Sequence, residues 1–168
     1  LIRSVNAYQA VIFDCDGVLV DSEHLKFTAW KAALSEEAID FHESDYLPLV
    51  GFDSNHIIKV IREQHRLPLD NASVIAKKDH FYHDLQQQGV TPLPDAVNFL
   101  KLAIAKKEEL GLKIAIASSA PKKEILENLR QLGISPSSFD LIISGKDDLR
   151  HIDDTSGVNK PKPYIYQI

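Results

Sequence analysis

The sequence predicts an α/β protein in which a parallel sheet core is interrupted by an inserted helical domain. Short apolar runs bounded by turn residues occur at 10–13, 113–117 and 140–144, and such runs are typical of buried parallel strands. Between the first and second of these strands, in residues 21–90, the apolar residues recur only at helical spacing. With 44% hydrophobic and 26% charged residues, the 168-residue chain has the composition of a globular protein.

The first strand of the core, Ala10–Phe13, is followed by three predicted helices in the insertion. Apolar residues near helical spacing and nearby cap residues define them. The first runs from Glu23 to about Glu37. The second begins at Asp53 or Ser54 and has Ile57, Ile58 and Ile61 on one face. The third runs from Asn71 to about Gln88 and ends before Gly89.

The α/β pattern resumes after the insertion and alternates helix with strand. Proline near the start of a helix and glycine after its end mark the boundaries. The predicted elements are a helix from Asp95 to about Glu109, a strand at 113–117, a helix at 121–132, a strand at 140–144 and the first turns of a helix after Pro161 and Pro163. We therefore expect a core domain at 1–20 and 91–168 and a helical domain at 21–90.

Composition excludes several classes of function. The net charge is −5 and the pI is about 5.8, and no basic stripe favours nucleic acid. The apolar runs are too short to span a membrane, and no secretory leader is seen. The single cysteine, Cys15, cannot form an internal disulfide, which favours a reducing cytoplasm. We expect Cys15 to point into the core as a small apolar residue.

Two acids, Asp14 and Asp16, follow the first strand within the run Asp-Cys-Asp-Gly-Val-Leu-Val-Asp-Ser. Ligands of open α/β sheets bind beyond the carboxyl ends of the strands, where these acids lie. Their repulsion would be offset most simply by a divalent cation. A turn at Gly17 must bend the chain if both acids are to address one group, because alternate residues of a strand point to opposite sides. The alternative is an Asp-rich turn without a catalytic role.

This run resembles the first motif of the haloacid dehalogenase superfamily of phosphatases and phosphomutases. The resemblance implies a Rossmann-like parallel sheet core with an inserted helical cap domain, as in the subgroup of β-phosphoglucomutase and phosphoglycolate phosphatase. It implies that Asp14 is the nucleophile that attacks phosphorus and that Asp16 is the general acid/base. Asp14 would also bind the implied cofactor, Mg²⁺, and so would Asp16 through its backbone carbonyl.

Two further motifs fit the same resemblance. Ser118 ends the second strand, where the family has a Ser or Thr that holds the transferring phosphoryl group, and Ser119 follows as a substrate-binding candidate. Simple helix capping is the alternative for both serines. Lys160, in Lys-Pro-Lys-Pro, matches the family's third motif, in which a lysine neutralises the nucleophile and the phosphate. Lys162 is the competing lysine, and Tyr164 departs from the aspartate that usually follows.

In the cap, Lys26 and Gly51 are the remaining candidates for substrate binding. The mutase branch has a histidine near the position of Lys26 and an arginine where this chain has Ser54. Both differences argue against a sugar-phosphate mutase and leave related phosphatases open.

The family's fourth motif, an acidic pair that completes the Mg²⁺ shell, is not found before Ile168, and we expect the chain to be incomplete at the C-terminus. The acids that precede Lys160 are interpreted as solvated loop charges; they are Asp147, Asp148, Asp153 and Asp154. Without further strands, residues 11–13 should lie at an open sheet edge with exposed apolar surface.

The predicted function is a Mg²⁺-dependent phosphatase that hydrolyses a small phosphorylated metabolite through an aspartyl-phosphate. A phosphomutase of the same fold and a catalytically inactive truncated fragment are the alternatives. No nucleic-acid or membrane partner is expected, the location is expected to be cytoplasmic, and the oligomeric state is not predicted.

Overall fold

The computed structural model describes residues 8–66, 70–154, 158, 160 and 162–167. The chain divides into two compact units. One, here called the α/β unit, comprises the residues up to Asp21 and those from Val90 onward. The other, the helical unit, comprises Ser22–Gly89.

A three-stranded parallel sheet organises the α/β unit. Its strands are β1 (Ala10–Phe13), β4 (Lys113–Ser118) and β5 (Leu141–Ser144), in the order β1-β4-β5. Phe13 lies opposite Ile116, and Ser118 lies opposite Ser144. Parallel strands with these registers bring their carboxyl ends to one edge of the sheet, so the residues after β1, β4 and β5 are neighbours in space.

Helices connect the strands, as parallel pairing requires. They are α5 (Pro94–Leu110) and α6 (Lys122–Gln131), while a short antiparallel pair, β2 (Val20–Asp21) with β3 (Thr91–Pro92), lies where the chain leaves and re-enters this unit. A 3₁₀ helix, Pro163–Tyr166, follows Lys162. The core between sheet and helices includes Leu100, Ile114, Ile116, Ile125 and Leu129.

The helical unit has its own apolar core. Its helices are α1 (Glu23–Ser35), α2 (Glu43–Tyr46), α3 (Ser54–His65) and α4 (Asn71–Gln88), with a 3₁₀ turn at Leu47–Leu49. Trp30, Ile58 and Ile61 are buried at its centre. Burial of an apolar side chain contributes about 1.5–3 kcal/mol. The cluster around these residues is separate from the core of the α/β unit.

The expected fold class is confirmed, with local differences. Asp53 caps α3 by accepting hydrogen bonds from the backbone of Asn55 and His56, as its position predicts. The short elements β2, β3 and α2 were not predicted, because two to four residues are too few to show a period. Pro121 lies before α6 rather than in it.

The prediction of an open edge at β1 is right for one residue and wrong for another. Within the described residues, β1 pairs with β4 alone, and Ile12 is 52% exposed. Phe13, by contrast, is buried, and its ring lies 5.8 Å from that of Phe99. The alternation of strand side chains explains the difference, since neighbours face opposite sides.

Candidate active site

Asp14 is the first residue after β1, and its carboxylate is the centre of the candidate site. Its Oδ1 accepts a hydrogen bond from the backbone N–H of Cys15 at 2.8 Å. Its Oδ2 lies 2.9 Å from Nζ of Lys160. Both contacts are charge-assisted, with the carboxylate as acceptor. The side chain is 38% exposed, so a ligand can reach it.

The chain bends sharply after Asp14, as the spacing of the two acids predicts. Gly17 has a φ of +71°, a left-handed conformation that glycine adopts without strain. Its N–H donates to the carbonyl of Val20 at 2.8 Å, and the N–H of Leu19 donates to the carbonyl of Cys15 at 2.8 Å. Asp16 lies at the start of this turn and is half-buried. Strand geometry therefore ends before the second acid, and the alternation of a strand does not determine its direction.

Cys15 faces the core, as expected, and is fully buried. Asn128, a buried polar residue of α6, donates from Nδ2 to the Cys15 sulfur at 3.4 Å. The neighbouring Asp14 is 38% exposed, so the two adjacent side chains lie in different environments. We find no reason to assign the thiol a catalytic part.

Ser118 ends β4 and is almost fully buried. Its Oγ accepts a hydrogen bond from the backbone N–H of Ala120 at 3.2 Å, and its carbonyl accepts from Gly145 at 2.7 Å. These bonds fix the start of the loop between β4 and α6. Ser119, the next residue, is exposed.

Lys160 reaches the carboxyl ends of both β1 and β4. Besides its contact with Asp14, its Nζ donates to the carbonyl of Ala117 at 2.6 Å and lies 6.0 Å from the ring centre of Tyr166. The side chain is 22% exposed. The structure therefore brings two predicted residues, Asp14 and Lys160, into contact at one edge of the sheet, and Lys160 also contacts Ala117, the residue before Ser118.

The acids after β5 are not the solvated loop charges that the sequence suggested. Asp147 Oδ2 accepts from the backbone N–H of Lys122 at 2.7 Å, and Asp148 Oδ2 accepts from that of Ser144 at 2.8 Å. The Lys122 backbone N–H is the main reason that the pKa of Asp147 lies below its ordinary value. Ser144 in turn donates from Oγ to the carbonyl of Ala120 at 2.7 Å. This network ties the end of β5 to the loop that carries Ser119.

Of the remaining loop acids, Asp153 is exposed, in agreement with the prediction. Asp154 is only 20% exposed and pairs with Lys162, so the prediction is wrong for this residue. Sequence analysis missed these structural carboxylates because hydrogen bonds from distant backbone groups leave no local pattern. The one available signal was that Asp147 and Asp148 closely follow a predicted strand end.

Lys26 and Gly51 belong to the helical unit. Lys26 Nζ pairs with Oε1 of Glu23 at 2.9 Å, and the other oxygen of Glu23 accepts from the Tyr46 hydroxyl at 2.8 Å. Gly51 is exposed, with a φ of +91°, in the turn before α3. These observations place the two residues within their own unit, and a part in substrate binding stays a prediction.

The donor set suits a hard cation that keeps water ligands. Among the described residues, His, Cys, Asp and Glu side chains form no group of three that could hold a metal. Mg²⁺, however, is commonly held by one or two carboxylates, with waters and substrate phosphate oxygens as its other ligands. The partly exposed carboxylate of Asp14, with the backbone carbonyl of Asp16 as a further oxygen two residues later, fits that mode of binding.

The sequence and the fold of this chain are similar to those of known proteins. The family described as haloacid dehalogenase-like hydrolase matches residues 11–167. A phosphorylated carbohydrates phosphatase of Thermotoga maritima is 28% identical over 162 residues, covering 94% of this chain and 67% of that protein. The chloroplastic protein SUPPRESSOR OF QUENCHING 1 of Arabidopsis thaliana is 30% identical over 141 residues, covering 80% of this chain but only 13% of the longer protein.

Among solved structures, a hydrolase from Pseudomonas syringae is similar, with a TM-score of 0.64 and 28% identity. The match covers 82% of this chain and 61% of that structure. None of the helices in the described part of the chain is long and apolar enough to cross a membrane.

Proposed function

The chain belongs to the haloacid dehalogenase-like hydrolase family, and we propose that it is a phosphatase that hydrolyses a small phosphorylated metabolite. The observation that carries this proposal is the 2.9 Å contact between Asp14 and Lys160, made where β1 and β4 end. A carboxylate beside a fixed ammonium group can approach an anionic phosphate ester, because the cation offsets the repulsion. The enzyme class, a phosphoric monoester hydrolase, agrees with the family and with its phosphatase relative.

In the first step, a carboxylate oxygen of Asp14 attacks phosphorus and forms an aspartyl-phosphate. The ester P–O bond breaks, and Asp16, in its protonated form, gives a proton to the leaving oxygen. The turn at Gly17 supports this division of roles, because it lets two acids on one short segment approach the same group from different directions.

In the second step, the Asp16 carboxylate takes a proton from water, and the water oxygen attacks phosphorus. The bond between phosphorus and the Asp14 oxygen breaks. Inorganic phosphate leaves, and both acids return to their starting states.

Lys160, Ser118 and Ser119 would hold the phosphoryl group during both steps. Lys160 is fixed by the Ala117 carbonyl as well as by Asp14, so its charge is already in place when the substrate binds. The serines lie at the end of β4 and in the loop before α6, whose bonds to Asp147 and Ser144 fix its shape. A loop fixed in this way would hold the two serine hydroxyls in place when the phosphate binds.

Asp14 and Asp16 would hold Mg²⁺, the cofactor that we propose. When bound, the ion would add positive charge beside the phosphate and offset its repulsion of the nucleophile. The Asp14 carboxylate and the backbone carbonyl of Asp16 would supply the oxygen ligands that Mg²⁺ prefers, which leaves the Asp16 carboxyl group for proton transfer.

We propose a phosphorylated carbohydrate as the class of substrate, supported by the name of the Thermotoga maritima relative. The helical unit would act as a cap that selects the substrate, with Lys26 and Gly51 as binding residues. Caps of this kind exclude water and position the substrate in many enzymes.

Phosphate release from a panel of sugar phosphates, measured with Mg²⁺ and with excess EDTA, tests the proposal. We expect turnover with Mg²⁺, strong loss with EDTA and no turnover by Asp14→Asn. The matched control is Asp153→Asn, which makes the same change at an exposed loop acid. Turnover by Asp14→Asn close to that of the control would rule out the nucleophile.

A phosphomutase of the same fold is the second candidate. Lys26, where the mutase branch has a histidine, is engaged in an ion pair with Glu23, and this disfavours a proton-transfer role. Isomerisation of a hexose phosphate that depends on a bisphosphate activator would favour the mutase over the phosphatase.

A further inference from the structure

We propose that Asp154 is a positioning residue for Lys160, acting through Lys162 and Tyr164. The inference rests on the proposed function, since it concerns the lysine that would hold the phosphoryl group. It assigns a role to a loop carboxylate that lies outside the catalytic motifs.

Asp154 accepts hydrogen bonds from two donors that closely follow Lys160 in the chain. Its Oδ2 accepts from Lys162 Nζ at 2.6 Å and from the Tyr164 hydroxyl at 2.8 Å. Lys162 and Tyr164 flank the start of the 3₁₀ helix Pro163–Tyr166. One carboxylate oxygen therefore joins two points of the segment that begins two residues after Lys160.

The same segment is anchored to the sheet by apolar packing. Ile165 is buried in a small cluster with Ala117, Ile143 and Leu149, and Tyr164 packs at its border. Ala117 is also the residue whose carbonyl accepts from Lys160. Packing fixes the segment against β4, while Asp154 fixes its polar side, so Lys160 has little freedom to leave Asp14.

The two lysines of the Lys-Pro-Lys-Pro run pair with different carboxylates. Lys162 pairs with Asp154, whereas Lys160 pairs with Asp14. Without Asp154, two cations two residues apart would both be attracted to the acids after β1. The ion pair therefore favours Lys160 as the lysine at the nucleophile.

Tyr164 is the second donor that links the segment to Asp154. Its hydroxyl donates to a carboxylate ten residues earlier in the chain. That hydrogen bond is the main reason that the pKa of Tyr164 is raised.

The experiment is a double-mutant cycle on phosphate release by the full chain with Mg²⁺. Asp154→Asn keeps the size of the side chain and removes its charge, and Asp153→Asn is the matched control. We expect Asp154→Asn to lower kcat/KM by about tenfold, as the loss of a supporting contact behind a functional group often does. The control should stay within about twofold of the wild type, the usual scatter of independent sites.

The cycle distinguishes positioning from a general structural role. In a Lys160→Met background, the effect of Asp154→Asn should shrink to less than about twofold, because the residue through which it acts is gone. An equal loss in both backgrounds would overturn the proposal. Tyr164→Phe, which removes one donor and keeps the ring, should lower kcat/KM in the same Lys160-dependent way, and it replaces Asp154→Asn if that variant does not fold.

A second measurement does not depend on turnover. An amine-reactive reagent modifies exposed lysines, and peptide mass spectrometry measures the rate at Lys160. This rate should rise severalfold in Asp154→Asn and stay unchanged in Asp153→Asn. If the wild type hydrolyses no phosphate ester, the proposed function fails, and this rate still decides whether Asp154 positions Lys160. An unchanged rate in Asp154→Asn would overturn the positioning role.

Discussion

Replacing Lys160 by methionine removes the ammonium group at Asp14 and keeps most of the side chain's length and apolar stem. The structure predicts a large loss of activity with a small loss of stability. That combination is expected only if Lys160 serves the chemistry more than the fold.

The expected loss of activity follows from the position of the charge. Lys160 Nζ lies 2.9 Å from Asp14 Oδ2, so a phosphoryl group transferred to that carboxylate would pass beside it. Removing one fixed donor from developing negative charge typically costs about 3–4 kcal/mol, or roughly a hundredfold to a thousandfold in rate. We expect kcat/KM to fall by that factor.

The expected loss of stability is smaller because the ion pair is partly exposed. Asp14 is 38% and Lys160 22% exposed, and pairs open to solvent contribute about 0.2–1 kcal/mol. The hydrogen bond to the Ala117 carbonyl adds about 1 kcal/mol. The free energy of unfolding should therefore fall by no more than about 2 kcal/mol.

Steady-state phosphate release and urea denaturation of the same samples measure the two quantities. Lys101→Met is the matched control, since Lys101 is an exposed lysine of α5. If Lys160→Met retained kcat/KM within a few fold of that control, the reasoning from geometry to catalysis would be refuted. A loss of activity that only followed a loss of folded protein would refute it equally.

Three further predictions concern the fold. Asp140 has a lowered pKa, mainly because the backbone N–H of Ile114 donates to its carboxylate, and secondly because Lys107 pairs with it. The charged carboxylate therefore stabilises the folded state fully above the ordinary unfolded pKa of Asp140, and this contribution is lost as the pH falls towards the folded pKa. Acid titration of unfolding should thus show a shallower decline for Asp140→Asn than for the wild type, and equal slopes would contradict this. Ile58→Ala should lower the free energy of unfolding by about 2–5 kcal/mol in urea denaturation, because it opens a cavity in the helical unit. Cys15, which is fully buried, should react with a thiol reagent only after denaturation, and rapid reaction of the native protein would contradict its placement.

Much of the fold could be predicted from sequence because its elements have strong local patterns. The strand β1 has the predicted bounds, and α4 begins at Asn71 and ends before Gly89, as predicted. The pair of β2 with β3 could not be predicted, because each strand has only two residues and neither has a period. Their pairing depends on where the chain leaves and re-enters the α/β unit.

The candidate site divides in the same way. Asp14 and Ser118 could be located because each stands at or just after the end of a recognisable apolar strand. Asp147 and Asp148 were interpreted wrongly because their partners, the backbone groups of Lys122 and Ser144, are amides that every residue has. Sequence shows which side chains carry charge, but it does not show which distant amide will satisfy them.

The motif favoured Lys160 over Lys162, but the sequence did not predict what Lys162 would contact. Both lysines lie in one proline-framed run, and spacing alone permits either to reach the acids after β1. The structure separates them through Asp154, a residue of an irregular loop whose neighbours predict no element. The ends of strands can be predicted from the spacing of apolar residues along the chain. The pairing of one loop charge with another depends on where the fold places the two residues. The partner of Lys162 is therefore not readable from the run itself, and a change at Asp154 should weaken the hold on Lys160 that we propose.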